Sequence, residues 1–253
     1  MYVRANIDGE VVHSSIPGIN DMKLSIPALL SFNGGYVDTA GFLALQGLFT
    51  AHVTGNFVTI GAALVFGTSG VVAKLLALPV FCFVIIGTRL VSLEFPPNWP
   101  VLQSILTLKL ILLTVAAVLA IRLGPFTNGD SAAAIITGMT LVSAMAIQNA
   151  AHRIHMGSAP PSTLMTGTTT QIMIDVADTI HGVPEAGREA IRIRLRRMSM
   201  AVVTFAAGAA TGALLFKSVG SWCFAVPPVV ALITRIAAVS EKPPKPVTLD
   251  ASK

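Results

Sequence analysis

The sequence predicts an all-α protein, a polytopic transmembrane bundle of about six to eight helices in two similar halves. Charged residues make up only 11% of the 253 residues and hydrophobic residues 53%, whereas about a quarter of a soluble domain is charged. The mean hydropathy is +0.75, and the apolar residues come in long blocks. Blocks of roughly 18 or more apolar residues are typical of helices that span lipid, because a helix satisfies its own backbone hydrogen bonds.

We expect about eight apolar segments, separated by polar, glycine or proline residues. The third segment ends at the rigid, proline-rich stretch 95–100, and Asn128-Gly129-Asp130 is placed to cap the fifth segment. The longest polar loop, residues 181–197, precedes the seventh segment. A count of six stays open, if the first two segments of each half pair as a re-entrant hairpin. The eight segments are roughly 24–46, 48–67, 72–93, 102–122, 131–151, 161–180, 198–216 and 222–239.

The chain divides into four regions. Residues 1–23 contain several charged side chains and no apolar core, so they predict a solvated cytoplasmic tail and not a signal peptide. Residues 24–123 are expected to form a first membrane repeat, and residues 124–240 a second. Residues 241–253 are rich in lysine and proline, which predicts a disordered C-terminal tail.

The orientation follows from the arginines at positions 188, 192, 194, 196 and 197, because positively charged loops stay in the cytoplasm. Counting eight spans outward from this loop puts both termini in the cytoplasm. The same count puts Trp99, Ser158 and Trp222 on the opposite side of the membrane.

Two polar motifs interrupt the apolar segments at comparable places. The first is His52-Val53-Thr54-Gly55-Asn56, and the second centres on Thr166-Gly167-Thr168. Thr54 and Thr166 are 112 residues apart (166 − 54), close to half the chain. This spacing predicts an internal repeat whose two motifs face each other at membrane depth. Four spans per half make the repeats parallel and three make them inverted; the count of eight favours parallel repeats.

Asp38 precedes the first motif, and Gln148 and Asn149 precede the second. A carboxylate in mid-segment costs about 2.5–3.5 kcal/mol on insertion scales, so it faces the bundle interior or a cavity. Either Asp38 shares a proton with His52, or it bonds backbone groups freed around Gly34-Gly35. The helix starts at the two motifs either hold a small solute, or their residues serve to pack the helices against each other. The candidate solute-binding residues are Asp38, His52, Thr54, Gly55, Asn56, Gln148, Asn149, Thr166, Gly167 and Thr168.

Other residues indicate packing and exclude several functions. Gly208 and Gly212 have the spacing of a close helix–helix contact, either within the monomer or, as the alternative, in a homodimer. We expect the stem of Lys109 to reach outward to the membrane surface. The sequence contains no HExxH, GxSxG or P-loop motif, which argues against an enzyme. We expect no cofactor, no metal site and no nucleic-acid partner; the expected partners are the lipid bilayer and a small solute or ion.

The stretch Gly35-Tyr36-Val37-Asp38-Thr39-Ala40-Gly41-Phe42, followed by Phe49 and the first motif, resembles the signature of the bacterial YoaK-like membrane family. Residues 146–150 together with 161–167 are similar to that family's second signature, and the resemblance covers roughly residues 25–240. Thr168 stands where an asparagine would mirror Asn56. The family consists of uncharacterised multi-pass proteins, so the resemblance implies a bacterial cytoplasmic (inner) membrane location and no established activity.

The function that these patterns favour is a secondary transporter or channel-like permease for a small polar solute or ion. Asp38 is then the group that couples protons or contacts a cation, and the Thr-Gly helix starts hold the solute. The alternative is a non-transporting structural or regulatory membrane protein with a polar packed core. In that alternative the arginine-rich loop contacts anionic lipid or a partner.

Overall fold

The computed structural model describes residues 25–96, 99–182 and 184–240 of the chain. The predicted tails, residues 1–23 and 241–253, lie outside these described ranges, and so does Asn98. The described residues form helices joined by short connections, with no strand among them, which confirms the predicted all-α class.

Eight α-helices and two short 3-10 helices make up the described chain. Proline near the start of α1 and the Ser131 hydroxyl, which accepts the Ala134 N–H at the start of α5, are usual helix-initiating devices. The 3-10 helices are Val53–Gly55 and Gly220–Ala225. The α-helices are α1 Ile26–Ala44, α2 Asn56–Phe66, α3 Val71–Glu94, α4 Val101–Leu123, α5 Ala132–His155, α6 Met165–His181, α7 Glu185–Val219 and α8 Val226–Ser240.

Four stretches are long and apolar enough to span a membrane by length and composition. They are Val71–Glu94, Val101–Leu123, Ala132–His155 and Gly187–Ser240, the last containing both α7 and α8. α1 is not among them because it carries Asn33, Tyr36 and Asp38 along its length. It packs against α5, α7 and α8, so these polar side chains face other helices and not lipid.

One end of the bundle, here called the basic end, contains the start of α1. Ile26 and Leu30 of α1 pack there with Leu106 near the start of α4 and Ala238 near the end of α8. Met156, which directly follows α5, joins the same cluster. Arg89 near the end of α3 lines a cavity with Arg153 of α5, so α3 also ends there. The described cations at this end are Arg89, Arg153, Arg188, Arg192, Arg194, Arg196, Arg197 and Arg235.

The other end, here called the loop end, brings four connections together. The Gln46 amide donates to the Phe126 carbonyl at 3.0 Å, and Asp130 accepts the N–H of Gly70 at 2.8 Å. Gly124 lies against Ser221 of the second 3-10 helix. α1, α4 and α7 therefore run toward the loop end, whereas α3, α5 and α8 run toward the basic end.

Two helices, α2 and α6, start in the interior of the bundle and reach only one of its ends. α2 has 11 residues and α6 has 17, about 16 and 25 Å at 1.5 Å per residue. α2 begins beside the middle of α1 and ends at the loop end, and α6 begins beside α5 and ends at the basic end. The six remaining helices cross the bundle. This helix arrangement is the one that the six-span alternative with two re-entrant hairpins predicts, and it differs from the one that eight full spans predict.

The re-entrant hairpins also change which loops share a side. Ser158 lines one cavity of about 530 Å³ together with Arg194 and Arg197, so the expectation that Ser158 and the arginines lie on opposite sides was wrong. Trp99 lies at the start of α4 and Trp222 near its end, about 34 Å apart along a helix of 23 residues. Trp99 is at the basic end of α4 and Trp222 is near its loop end, so the two tryptophans do not share one side.

The arginine-rich stretch is helical and not a loop. α7 begins at Glu185 and continues for 35 residues through the arginines into the apolar part of the chain. The Arg194 guanidinium donates to the buried Asp175 carboxylate of α6 at 2.7 Å. This ion pair fastens the polar half of α7 to α6.

Asp130 caps a different helix from the one expected. Its carboxylate accepts the N–H groups of Gly70, Val72 and Ala73 at the start of α3, whereas α5 is capped by Ser131. Burial raises the pKa of Asp130, but these backbone donors together outweigh burial and lower the pKa below its ordinary value.

The closest helix contact is between α1 and α7, which run parallel. Gly208 packs on the backbone of Phe32 and Gly212 on the backbone of Tyr36. Gly35 of α1 packs in return on the backbone of Phe205. Both α7 glycines are buried in this intramolecular contact, which is the packing within the monomer that the sequence predicted beside a homodimer; the homodimer stays a prediction.

We predict that Gly208→Ala destabilises the protein, because a Cβ there would collide with the Phe32 carbonyl. Overpacking of this kind costs about 1–3 kcal/mol. Gly87→Ala in α3 is the matched control, since nothing lies within 4 Å of the added methyl group. Thermal unfolding in detergent should show a lower Tm for Gly208→Ala and an unchanged or higher Tm for Gly87→Ala. Equal Tm values for the two variants would contradict the α1–α7 contact.

We predict that cysteines placed at Ser158 and Arg192 react with a membrane-impermeant maleimide from the same side of the membrane. A cysteine at Thr127, in the loop end, should react from the other side. All three positions are exposed, and the natural exposed Cys82 would first be replaced. Labelling of Ser158→Cys and Arg192→Cys from opposite sides would restore the count of eight spans.

Candidate functional site

Two linkers return from the ends of the bundle to its interior. The first linker, residues 45–55, connects α1 to α2, and the second linker, residues 156–164, connects α5 to α6. A backbone that turns back inside lipid lacks helical hydrogen bonds, so other groups must satisfy it. The predicted polar residues lie where these linkers are held.

Asp38 fastens the first linker to α1. One carboxylate oxygen accepts the backbone N–H groups of Thr50 at 2.8 Å and Ala51 at 2.7 Å. The other oxygen lies 2.6 Å from Nδ1 of His52. Asp38 is only 4% exposed, so its acceptor capacity is spent on the linker. The backbone groups that it bonds belong to the linker and not to the Gly34-Gly35 region.

Asn56 closes the first linker on itself. Its amide oxygen accepts the Phe49 N–H at 2.8 Å and its amide nitrogen donates to the Phe49 carbonyl at 2.9 Å. Gly55 lies against the Phe49 ring, where a Cβ would come within 3.1 Å of a ring carbon. Thr54, which directly precedes Gly55 in the first linker, is exposed.

Gln148 and Asn149 hold the second linker. The Gln148 amide nitrogen donates to Leu30 O at 2.8 Å and Ser162 Oγ at 3.1 Å, and its oxygen accepts from Lys109 Nζ at 2.6 Å. Lys109 is therefore buried and bonded inside the bundle, and the expectation that it reaches outward was wrong. The Asn149 oxygen accepts the Thr163 hydroxyl at 2.7 Å.

The two linkers meet in the interior of the bundle. The His52 ring, fixed by Asp38 on one side, interacts with the backbone of Thr163. Gly34 of α1 permits this approach, since a Cβ there would come within 3.1 Å of the Ser162 carbonyl oxygen and 3.4 Å of Thr163. The first motif therefore lies against the residues that precede the second motif.

The holding bonds have the same sequence separation in each half. Asp38 bonds His52, and Asn149 bonds Thr163, each across 14 residues. The chemistry differs, because the first pair contains a carboxylate and an imidazole and the second an amide and a hydroxyl. Charge-assisted hydrogen bonds are roughly twice as strong as neutral ones, so the first linker is held more firmly.

A cavity of about 360 Å³ lies between the linkers and opens toward the basic end. His52 and Thr54 line it from the first linker, and Thr163 lines it from the second. Apolar side chains of α3 and α5 form much of the remaining wall. Its lining residues are Ala51, His52, Val53, Thr54, Phe81, Ile85, Arg89, Asn149, Ala150, Arg153, Ile154, Thr163 and Leu164.

A second cavity of about 470 Å³ lies on the other side of His52. Asp38 and Gly55 line it, together with Phe49 of the first linker and Phe205 of α7. The His52 side chain, 33% exposed, borders both cavities. The Asp38–His52 pair therefore forms the partition between them.

The predicted site residues divide into four groups. His52, Thr54 and Asn149 line the first cavity, and Asp38 and Gly55 line the second. Asn56 and Gln148 lie behind these walls and hold the linkers. Thr166, Gly167 and Thr168 do not line either cavity: Thr166 and Gly167 are exposed on α6, and the Thr168 hydroxyl donates to the Leu164 carbonyl within the helix.

Arg89, Arg153 and Thr163 line the first cavity, but sequence reasoning had left them out of the site. The arginines look like ordinary residues at helix ends. Thr163 carried a signal, because it lies 14 residues after Asn149 just as His52 follows Asp38. Within the described residues, no group of three or more His, Cys, Asp or Glu side chains is placed to hold a metal ion.

We predict that Asp38→Leu destabilises the protein by more than Asp38→Asn. Leucine leaves the N–H groups of Thr50 and Ala51 without an acceptor, at about 1–3 kcal/mol for each buried group. The asparagine oxygen still accepts them. Thr39→Leu is the control, since the neighbouring Thr39 has no such contact to the linker. Equal thermal stability of Asp38→Leu and Thr39→Leu would rule out the holding role.

Comparison with known proteins supports the family resemblance seen in the motifs. The model of the family described as "Protein of unknown function (DUF1275)" matches residues 26–237. The chain is 33% identical over 155 residues to "UPF0700 transmembrane protein YoaK" of Bacillus subtilis (strain 168), and this match covers 59% of the chain and 65% of that protein. No solved structure matches. The chain therefore belongs to the DUF1275 family and is similar to YoaK, a membrane protein.

Proposed function

We propose that the protein is a permease, a secondary transporter or channel-like protein for a small polar solute or ion. The observation that carries this proposal is the cavity between the two linkers. It combines polar side chains with apolar walls between helices of the bundle. Its volume of about 360 Å³ lies within the usual range of small-molecule sites, about 300–1,000 Å³.

The two half-length helices support this proposal. α2 starts in the interior after the first linker and α6 starts there after the second. Neither helix start has a side-chain cap, so no side chain of the cap residue satisfies their first N–H groups. Transporters use such broken helices to build solute sites near the membrane middle.

The arrangement of the helices fits two inverted repeats, α1–α4 and α5–α8. Corresponding helices run in opposite directions: α1 runs toward the loop end, and α5 toward the basic end. Exchanging the halves also preserves the packing partners. α3 packs on α5 as α7 packs on α1, and α2 packs on α3 as α6 packs on α7. Inverted repeats of this kind place solute sites at their interface. We propose inverted repeats here in place of the parallel repeats that a count of eight spans favoured.

In this proposal the basic end faces the bacterial cytoplasm. The arginines of α7 and of the ends of α3 and α5 lie there, and positively charged residues flanking membrane spans are retained in the cytoplasm. Both described chain ends, residues 25 and 240, lie at the same end. The first cavity then opens to the cytoplasm, and the Asp38–His52 pair separates it from the second cavity.

A non-transporting structural role is the second candidate, and the hydrogen bonds of Asp38 and Gln148 favour it. Asp38 is fully engaged with the first linker, and Gln148 joins α4, α1 and the second linker. Such bonding gives both residues a role without any solute. It accounts for the buried polar core but not for the cavity beside it.

We predict that the purified protein in liposomes passes at least one probe of a panel of glycerol, potassium, acetate and inorganic phosphate. Thr54→Trp should reduce this flux at least about tenfold, because the indole fills the cavity that Thr54 lines. Thr114→Trp is the matched control, since Thr114 on α4 is exposed like Thr54 but is not among the residues that line the cavity. A folded wild-type protein that passes no probe would favour the structural role.

A further inference from the structure

We propose that the cavity between the linkers binds a small oxyanion, such as a carboxylate, phosphate or sulfate. This inference rests on the proposed function, because it names the class of solute that the permease would carry. It replaces the earlier expectation that Asp38 contacts a cation.

The charge of the cavity wall is the first argument. Arg89 of α3 and Arg153 of α5 both line the cavity, and no acidic residue is among the described residues of its wall. Neither cavity arginine takes part in the ion pairs seen among the described residues, such as Asp38–His52 and Asp175–Arg194, so no described carboxylate neutralises them. Two unpaired guanidinium groups beside one cavity attract an anion and repel a cation.

The position of Asp38 is the second argument. Its carboxylate borders the other cavity, and His52 stands between it and this one. Its oxygens already accept two backbone N–H groups and face the imidazole of His52. A cation in the first cavity would therefore find no carboxylate to pair with.

The available hydrogen-bond donors are the third argument. An arginine presents its donors in a planar fork that matches carboxylate and phosphate oxygens. Thr54 lines the cavity, and the Asn149 amide donates only one bond, to Met145 O at 2.9 Å, which leaves its second N–H. Donors on opposite walls of one cavity suit a ligand with two or more acceptor oxygens.

The phosphate of a lipid headgroup has the same acceptor oxygens as a free oxyanion. A headgroup can reach Arg89 and Arg153, because both arginines lie toward the basic end and are exposed. The polar groups deeper in the cavity favour a free ion. Thr54, Asn149 and Thr163 lie in the linker region, and a headgroup held there would have to leave the membrane surface. The experiment must separate these two sources.

The test measures ligand-induced thermal stabilisation of the delipidated protein in a non-ionic detergent at constant ionic strength. Inorganic phosphate, sulfate and acetate are added in one arm, potassium and glycerol in a second, and phosphatidylglycerol in a third. We expect saturable stabilisation in the first arm. Arg89→Gln and Arg153→Gln should each weaken it about tenfold or more, the usual effect of losing a charge-assisted hydrogen bond. Arg122→Gln, at the loop end of α4, is the control that removes an equal charge.

Each outcome decides the proposal. Stabilisation by phosphatidylglycerol alone would overturn the free-ion site and assign the arginines to lipid. Equal effects of Arg122→Gln and Arg89→Gln would reduce the effect to general charge and overturn the site. Anion binding without flux would sustain the site while the permease fails. Flux of glycerol or potassium without anion binding would overturn this inference and leave the permease standing.

Discussion

The structure depends on satisfying a backbone that turns back inside the bundle. Each linker leaves the helical hydrogen-bond pattern at a depth where lipid offers no replacement, and each unsatisfied group there costs several kcal/mol. The protein meets this constraint with buried side chains on α1 and α5. Asp38 takes two linker N–H groups, and Gln148 and Asn149 bond Ser162 and Thr163. The polar residues that look out of place in the sequence are the ones that make the re-entrant turns stable.

The same turns set the architecture around them. Each linker turns back into the interior, and the half-length helix after it leads back to the end from which the linker came. A linker and its half-length helix together therefore do not cross the bundle, so the chain crosses the bundle six times and not eight. The halves then run in opposite directions, and the arginines of α3, α5 and α7 collect at one end. α1 lies at the centre of this arrangement, and it approaches α7 closely enough that Gly35, Gly208 and Gly212 accommodate no larger residue without movement.

The sequence predicted the helical class and the approximate positions of the eight helices, and it offered the pairing of Asp38 with His52 as one of two alternatives. It did not predict that α2 and α6 cross only part of the bundle, because hydropathy measures how apolar a segment is and not how deep it lies. It missed the start of α7, because a search for apolar runs passes over the arginine-rich residues 185–197. Lys109 was misplaced because its partner Gln148 is 39 residues away and is found only through packing. Arg89 and Arg153 were missed because helix-end arginines usually lie at head groups.

The structure moves the case for transport away from Asp38. A buried carboxylate suggests ion coupling when its partners are unknown, and its insertion cost of about 2.5–3.5 kcal/mol then asks for a functional explanation. Here two backbone donors and an imidazole offset that cost, so the residue is explained by the linker that it holds. The arginines of the cavity are not explained in this way, since neither has a carboxylate partner among the described residues. The charge beside this cavity is therefore positive, and a negatively charged ligand is the one that the cavity between the linkers attracts.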